Sequence, residues 1–292
     1  MSTAAPTTVV RRVAGVRPRW PLPWAPFQCL ASTPHLVWQL TRREILARYR
    51  GSMLGVLWSF VTPALTLLLF TFVFSVVFHA GWNRPLAGGH PGGHSDFTLV
   101  VFPGFIVFWF FSDCIARAPG LVVTSPVYVK KIVFPLHVLP WVVALGALFN
   151  AAIGTLVFLI VRLVLVGLPP LTALLFPLVL VPLVLLALGI SWFLASLGVY
   201  FRDVGQLVGL VLMILLNVSP ILYPISAVPE SLRVLIELNP LTLPVEAARS
   251  VLLWGELPRW DALAVYTAGA WVVAWLGLAW FERTRRGFAD VL

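Results

Sequence analysis

LTALLFPLVLVPLVLLALGISWFLASLGV at 171–199, then YFRD at 200–203, then VGQLVGLVLMILLNVSPIL at 204–222 is the stretch that decides the fold. The two long runs contain no acidic or basic side chain. Each reaches the ~18 apolar residues that read as a membrane-crossing helix, and the short polar insert between them is a turn. Working outward, four more apolar runs occur at 53–78, 97–116, 137–161 and 262–281, so the pattern predicts six spans. Pro63, Pro103, Pro177 and Pro182 fall inside these runs. Membrane helices tolerate proline where neighbours or local kinks satisfy the freed carbonyls, and kinks are expected there.

Composition agrees. Of the 292 residues 60% are hydrophobic and 11% charged, against roughly 25% charged in an ordinary soluble domain. The mean hydropathy is +0.97. An ordinary cytosolic enzyme and a disordered chain are both excluded, and the expected class is an all-α polytopic membrane protein. Cys29 and Cys114 are read as free thiols, since neither falls in a candidate external loop.

The net charge of +9 sets orientation rather than a nucleic-acid partner. Arg11, Arg12, Arg17, Arg19, Arg42, Arg43, Arg48 and Arg50 precede the first span. Arg117, Lys130 and Lys131 lie between spans two and three, and Arg283, Arg285 and Arg286 follow the last. Basic residues accumulate on the cytoplasmic side, so both termini are expected inside. The loop 79–96 carries only Arg84, and 223–261 balances three arginines with five acids; both are expected outside. Arg162, at the outer end of the third span, is expected to snorkel to the headgroups.

Three segments flank the spans. Residues 1–33 form a basic, proline-rich cytoplasmic leader in which Trp20, Trp24 and Phe27 suggest an arm near a membrane surface. Residues 34–52 read as an amphipathic helix with two apolar stripes, Leu36, Leu40 and Ala47 on one and Trp38, Ile45 and Tyr49 on the other, which suits an interfacial position before the transmembrane domain of 53–292. Residues 223–261 hold two helical patterns, 229–238 and 243–254, each too short to cross a bilayer. They are expected to dip in and return, as a candidate gate that includes Tyr223 and Pro224 at its start and Asn239 and Pro240 between its two halves.

Chemical motifs are sparse. The sequence has no GxxxxGK[ST] phosphate loop, HExxH, GxSxG or CxxC. Ionisable residues are nearly absent from the spans, with Asp113 near the inner end of the second, which disfavours an ion-coupled carrier, so any energy must come from elsewhere. His90 and His94 flank Pro-Gly-Gly beside Asp96 and read as a polar turn rather than a metal site. Phe70, Phe74 and Phe78 share one helical face, and Phe102, Phe105 and Trp109 run down the next span. Rings offer non-ionic contact to the apolar faces of sugars, so these six are candidate pore-lining residues beside a packing role. Gly51-x-x-x-Gly55 and Gly205-x-x-x-Gly209 would allow close helix approach.

Five segments resemble one family. RYRGSMLGVLWSFVTPAL at 48–65, SPVYVKKIVFPLHVLP at 125–140, YFRDVGQLVGLVLMILLNVSPILYP at 200–224, NPLTLPVEAARSVLL at 239–253 and FERTRRGFADVL at 281–292 are similar, in that order, to the type-2 ABC transporter permeases that export O-antigen and related polysaccharides. The resemblance implies a homodimer of six-span subunits in the bacterial inner membrane, with two copies of a separate cytoplasmic ABC ATPase. ATP and Mg would be bound by that partner, no cofactor by this chain, and the chain would not itself be an enzyme. It implies that loop 117–136 carries a coupling helix, with Tyr128, Lys130, Lys131 and Phe134, and also Arg202 and Asp203, meeting the ATPase. The cargo would be a lipid-linked polysaccharide whose diphosphate is attracted by Arg42, Arg43, Arg48 and Arg50. Teichoic acid, capsule or a small lipophilic drug are alternative cargoes, and a lipid-linked glycosyltransferase is the reading from another class.

Overall fold

The computed structural model describes residues 22–77, 96–124 and 134–291. Most of the expected leader, the coupling residues Tyr128, Lys130 and Lys131, Phe78, His90 and His94 lie outside the described residues, as do the side chains of Cys29, Phe74 and Asp96. Every regular element among the described residues is a helix: α1 Ala25–Ser32, α2 Pro34–Arg48, α3 Trp58–Phe70, α4 Asp96–Arg117, α5 Leu139–Leu165, α6 Phe176–Tyr200, α7 Val204–Val218, α8 Glu230–Glu237, α9 Thr242–Arg249, α10 Trp260–Thr284 and the short α11 Phe288–Val291. With their flanking single turns, five segments are long and apolar enough to cross a membrane: Gly55–Val73, Phe97–Gly120, Leu136–Leu165, Leu171–Tyr200 and Trp260–Gly287.

The sixth expected span, 204–222, is realised as the 15-residue α7. At about 1.5 Å per residue it measures roughly 22 Å, short of a ~30 Å hydrocarbon core. It stops because Pro220 disfavours helical backbone at the residue before it, and Ser219 turns extended at ψ 143°. The N–H and the hydroxyl of Ser219 both donate to Leu215 O, closing the helix end.

The first span begins later than its hydropathy suggests. Gly51 and Gly55 have φ of +84° and +52°, a left-handed backbone that glycine adopts freely, and they separate α2 from α3. Gly51-x-x-x-Gly55 is therefore a turn and not the helix-packing motif expected from its spacing. Pro63, Pro103 and Pro182 sit inside α3, α4 and α6, and the helices continue through them.

Helix α4 is the centre of the bundle. Up to its last two turns it is apolar on every side, as a helix buried among other helices must be, and most of it is buried within the chain, unlike the first segment. Leu99, Val100, Val101, Phe102, Ile106, Val107, Phe110 and Phe111 form this core, packed chiefly against α5, α6 and α9. The most extensive helix pair is α6 with α10. Gly277 makes it possible: a Cβ there would overlap the carbonyl of Gly189, so the two backbones touch directly. Several hydroxyls in the bundle are satisfied within their own helices, Thr66 to Thr62 O, Thr155 to Ala151 O and Thr267 to Leu263 O, which suits a medium without water.

Arg162 departs from expectation. It does not reach for solvent: the residue is fully buried, and its Nη1 donates to the carbonyls of Gly167 (3.1 Å) and Leu168 (2.7 Å). The guanidinium holds the turn that follows its own helix, near the negative pole of that helix, which favours a cation.

Candidate functional site

The ends of α2, α4, α5, α6 and α10 that carry most of the described basic residues meet on one side of the bundle, the basic end. Helix α2 starts there and runs along α5, from Val138 and Val142 to Asn150. Val37 packs with Val138 and Val142 of the adjoining α5 region, and Leu40 lies beside them. One and two turns further along the same face, Glu44 and Arg48 reach α4. Arg48 Nη2 lies 2.6 Å from Asp113 Oδ2, Asp113 Oδ1 lies 3.8 Å from Arg117 Nη1, and Arg117 pairs with Glu44. The signs alternate along the chain of contacts, so each charge has an opposite neighbour. The Tyr49 hydroxyl adds a 3.3 Å bond to Asn150 of α5.

Of the four arginines expected to attract a diphosphate, Arg48 is thus engaged by Asp113, while Arg42, Arg43 and Arg50 lie on the exposed surface. The two apolar stripes do not separate cleanly: Leu36 and Leu40 are half-buried but Ala47 is exposed, and Trp38 is 67% exposed while Ile45 and Tyr49 are half-buried. Asp113 was legible as a lone carboxylate in a span, but its partners were not.

Two further segments join this end. His137 Nδ1 lies 3.0 Å from Glu282 Oε1, bringing α10 to the start of α5. The Tyr200 hydroxyl donates to Thr284 O, and its ring stands 6.1 Å from that of Phe288, which is fully buried. The chain's last segment is therefore docked beside the turn that holds the exposed Arg202 and Asp203. Phe134, also expected at the coupling surface, is half-buried against the core.

The described candidate pore aromatics form one cluster. Phe70 stacks on Phe105 at 4.5 Å, Phe105 stands 5.4 Å from Trp109, and Phe102 meets Trp109 edge-on at 5.8 Å. Phe102 also stacks with Phe158 of α5 at 6.0 Å. Phe102 and Phe105 are buried within the single chain, so these rings face one another and tie α3, α4 and α5 together. Exposed apolar residues lie elsewhere, among them Leu65 and Leu68 on α3, Phe72 in the π-helical turn after it, Leu156 and Ile160 on α5, Leu207, Leu210 and Ile214 on α7, and Val265 and Val272 on α10. Gly205 and Gly209 on α7 have nothing near the position of a Cβ.

At the opposite end the stretch 223–261 holds two short helices, α8 and α9, which differ in burial. On α8 only Ile236 is buried, and Leu232, Val234 and Leu235 are exposed. Helix α9 is almost wholly buried and continues as a π-helical turn to Trp254. Asn239, between them, donates from Nδ2 to Ser219 Oγ at 3.0 Å and accepts from Leu241 N at 2.9 Å. Tyr266 of α10 donates to Pro240 O, and Tyr223 donates to Val218 O at 2.7 Å. Pro224 follows directly in extended backbone.

The strongest tie at this end was missed. Arg249 is fully buried; its Nε donates to Val100 O of α4 (2.9 Å), Nη1 to Pro220 O (2.7 Å) and Nη2 to Ile221 O (2.6 Å). Glu246 Oε1, one turn back, lies 2.7 Å from Nη1. One side chain pins α9 to both α4 and the turn after α7. Gly104 of α4 permits the close approach, since a Cβ there would stand 3.2 Å from Ile221 and 3.3 Å from Val245. The available signal was Glu246-x-x-Arg249 inside an apolar run, a pair that reaches across one helical turn.

Residues 35–253 match the model of the ABC-2 type transporter family. Among curated relatives, the chain is 29% identical over 257 residues to the O-antigen export system permease protein RfbA of Myxococcus xanthus, covering 87% of this chain and 94% of the relative. A protein of the same name from Klebsiella pneumoniae is 26% identical, over 87% and 93%. The polysialic acid transport protein KpsM of Escherichia coli is 25% identical over 83% and 90%. With three quarters of its length inside the family model, its apolar helices and its ion-paired basic end, the chain belongs to the ABC-2 type transporter family.

Proposed function

We propose that this chain is the membrane subunit of an ATP-driven exporter of lipid-linked polysaccharide, working as a homodimer with two copies of a separate cytoplasmic ABC ATPase that binds ATP and Mg. The observation that carries the reading is the near full-length similarity to permeases named for O-antigen export and for polysialic acid transport. The subunit lies in the bacterial inner membrane with the basic end and both termini in the cytoplasm, in keeping with its arginines. In this reading α7 and the turn after it serve as a sixth, short span, α2 lies at the interface, and 223–261 is re-entrant. The exposed apolar faces of α3 and α7 support a dimer seam beside lipid contact.

The lipid diphosphate is received at Arg42, Arg43 and Arg50 on the surface of α2, and Arg48 holds that helix to α4. The glycan passes between subunits, with the ring cluster of Phe70, Phe102, Phe105 and Trp109 as the packed wall behind the path. The loop with Tyr128, Lys130, Lys131 and Phe134, together with Arg202 and Asp203, receives the motion of the ATPase. The outer hairpin with Tyr223, Pro224, Asn239 and Pro240 is the gate. Capsule-type polymer is the second cargo, favoured by the similarity to the polysialic acid transport protein.

The test is where lipid-linked polymer sits in cells depleted of this protein, by fractionation, sugar analysis and surface staining. Intracellular accumulation with loss of surface polymer is expected and names the cargo. Normal surface polymer with altered sensitivity to small toxic compounds would replace this reading with drug efflux, and complete absence of polymer with glycosyl transfer.

A further inference from the structure

The segment before α2 is built into the bundle. The indole Nε1 of Trp141, on α5, donates to Pro26 O at 3.1 Å, and that of Trp271, on α10, donates to Pro23 O at 2.9 Å. The ring of Phe27 lies 6.4 Å from Trp141 and 5.1 Å from Trp271. Lower down, Leu30 packs on the cluster of Val37, Val138 and Val142 that seats α2. The segment Leu22–Ser32 thus fills the groove between α5 and α10.

Its depth follows from the level of the basic end, which the His137–Glu282 contact marks on both helices. Trp141 is four residues from His137 along α5, and Trp271 is eleven from Glu282 along α10. At about 1.5 Å per residue these are roughly 6 Å and 16 Å. Trp271 stands near the middle of the apolar segment Trp260–Gly287, so Pro23 is bound about half-way along that helix, and α1 runs from there back towards the His137–Glu282 contact.

The chemistry of the segment suits that depth. Leu22–Ser32, LPWAPFQCLAS, contains no Asp, Glu, Lys, Arg or His. Non-helical backbone survives at membrane depth only where its polar groups are satisfied. Pro23 and Pro26 have no N–H to satisfy. The N–H of Ala25 donates to Leu22 O at 2.8 Å, and those of Phe27 and Gln28 to Trp24 O at 3.1 Å. The large side chains left outward, Leu22, Trp24 and Phe27, are apolar and lie with the exposed apolar residues Val272, Leu276 and Trp280 of α10, while the exposed polar groups, Gln28 and Ser32, are uncharged.

We infer that Leu22–Ser32 is a membrane-embedded half-helix, inserted from the basic end to the level of Trp271, which closes the groove between α5 and α10 and fixes the start of α2. It lies deeper than the surface arm expected from the aromatic residues of the leader. The inference rests on the membrane reading alone and is independent of the cargo.

The test uses the full chain, with Cys29→Ser and Cys114→Ala, co-expressed with its ATPase in native membranes. Trp24→Cys and, separately, His35→Cys on α2 are exposed to a membrane-impermeant maleimide offered to both membrane faces. Loss of labelling at 24 with labelling at 35 is expected, and a nitroxide at 24 should be relaxed by oxygen but not by a water-soluble nickel chelate. Labelling at 24 as fast as at 35 in intact membranes would overturn the inference. Trp141→Phe with Trp271→Phe keeps the rings and removes both donors; labelling at 24 should then appear. Unchanged protection in that variant would replace groove docking by simple partition into lipid. Leu22→Cys repeats the measurement should Trp24→Cys assemble poorly.

Discussion

Arg249 shows most clearly how a single side chain acts in this bundle. A buried cation is costly unless paired and hydrogen-bonded, and here three carbonyls and Glu246 meet it. Arg249→Met fills similar volume but strands those acceptors, and should cost about 3–5 kcal/mol, read as a lower melting temperature and poor yield of folded protein in detergent. Glu246→Gln, at a side chain one third exposed, should cost no more than about 1 kcal/mol. Equal loss in the two variants would place the stabilisation in the ion pair rather than in the carbonyl contacts. Neither Arg249 nor Arg162 was readable as a buried group. Charge in a sequence is assigned to loops, and the carbonyl at Val100 that receives Arg249 lies 149 residues away.

For the helices, hydropathy located the five long segments because burial in lipid depends on local composition. It overran α7 because Ile221 and Leu222 remain apolar after Ser219–Pro220 has ended the helix. Glycine spacing was the least reliable signal. Gly51 and Gly55 form a turn, whereas the contact that joins α6 to α10 uses Gly189 and Gly277, each on a different helix and visible only when both are placed. Gly277→Leu should therefore prevent assembly of the subunit, measured as loss of a monodisperse peak on size-exclusion chromatography. Gly209→Leu meets open space within the chain, so the subunit should still fold. If α7 forms the dimer seam, its mass by light scattering should fall from dimer to monomer; a stable dimer would move the seam to another face.

At the scale of the molecule, α4 connects the two ends. Asp113 and Arg117 tie its last turns to α2, and Val100 near its start receives Arg249 from α9. In the proposed reading the loop that meets the ATPase follows α4 in the chain, so a push there would reach α2 through Asp113 and Arg117, and α9 through α4 and Arg249. Such a relay separates energy use from movement. Lys130→Glu with Lys131→Glu should leave the purified subunit folded and the partner able to hydrolyse ATP, yet abolish export. Asp113→Asn should lower export by freeing α2 from α4, and the exchange Arg48→Asp with Asp113→Arg should restore part of it, since the swapped pair can attract again. Full export from the double lysine variant would remove those residues from the coupling surface. Failure of the exchange to rescue while α2 stays docked would show that Asp113 acts through something other than Arg48.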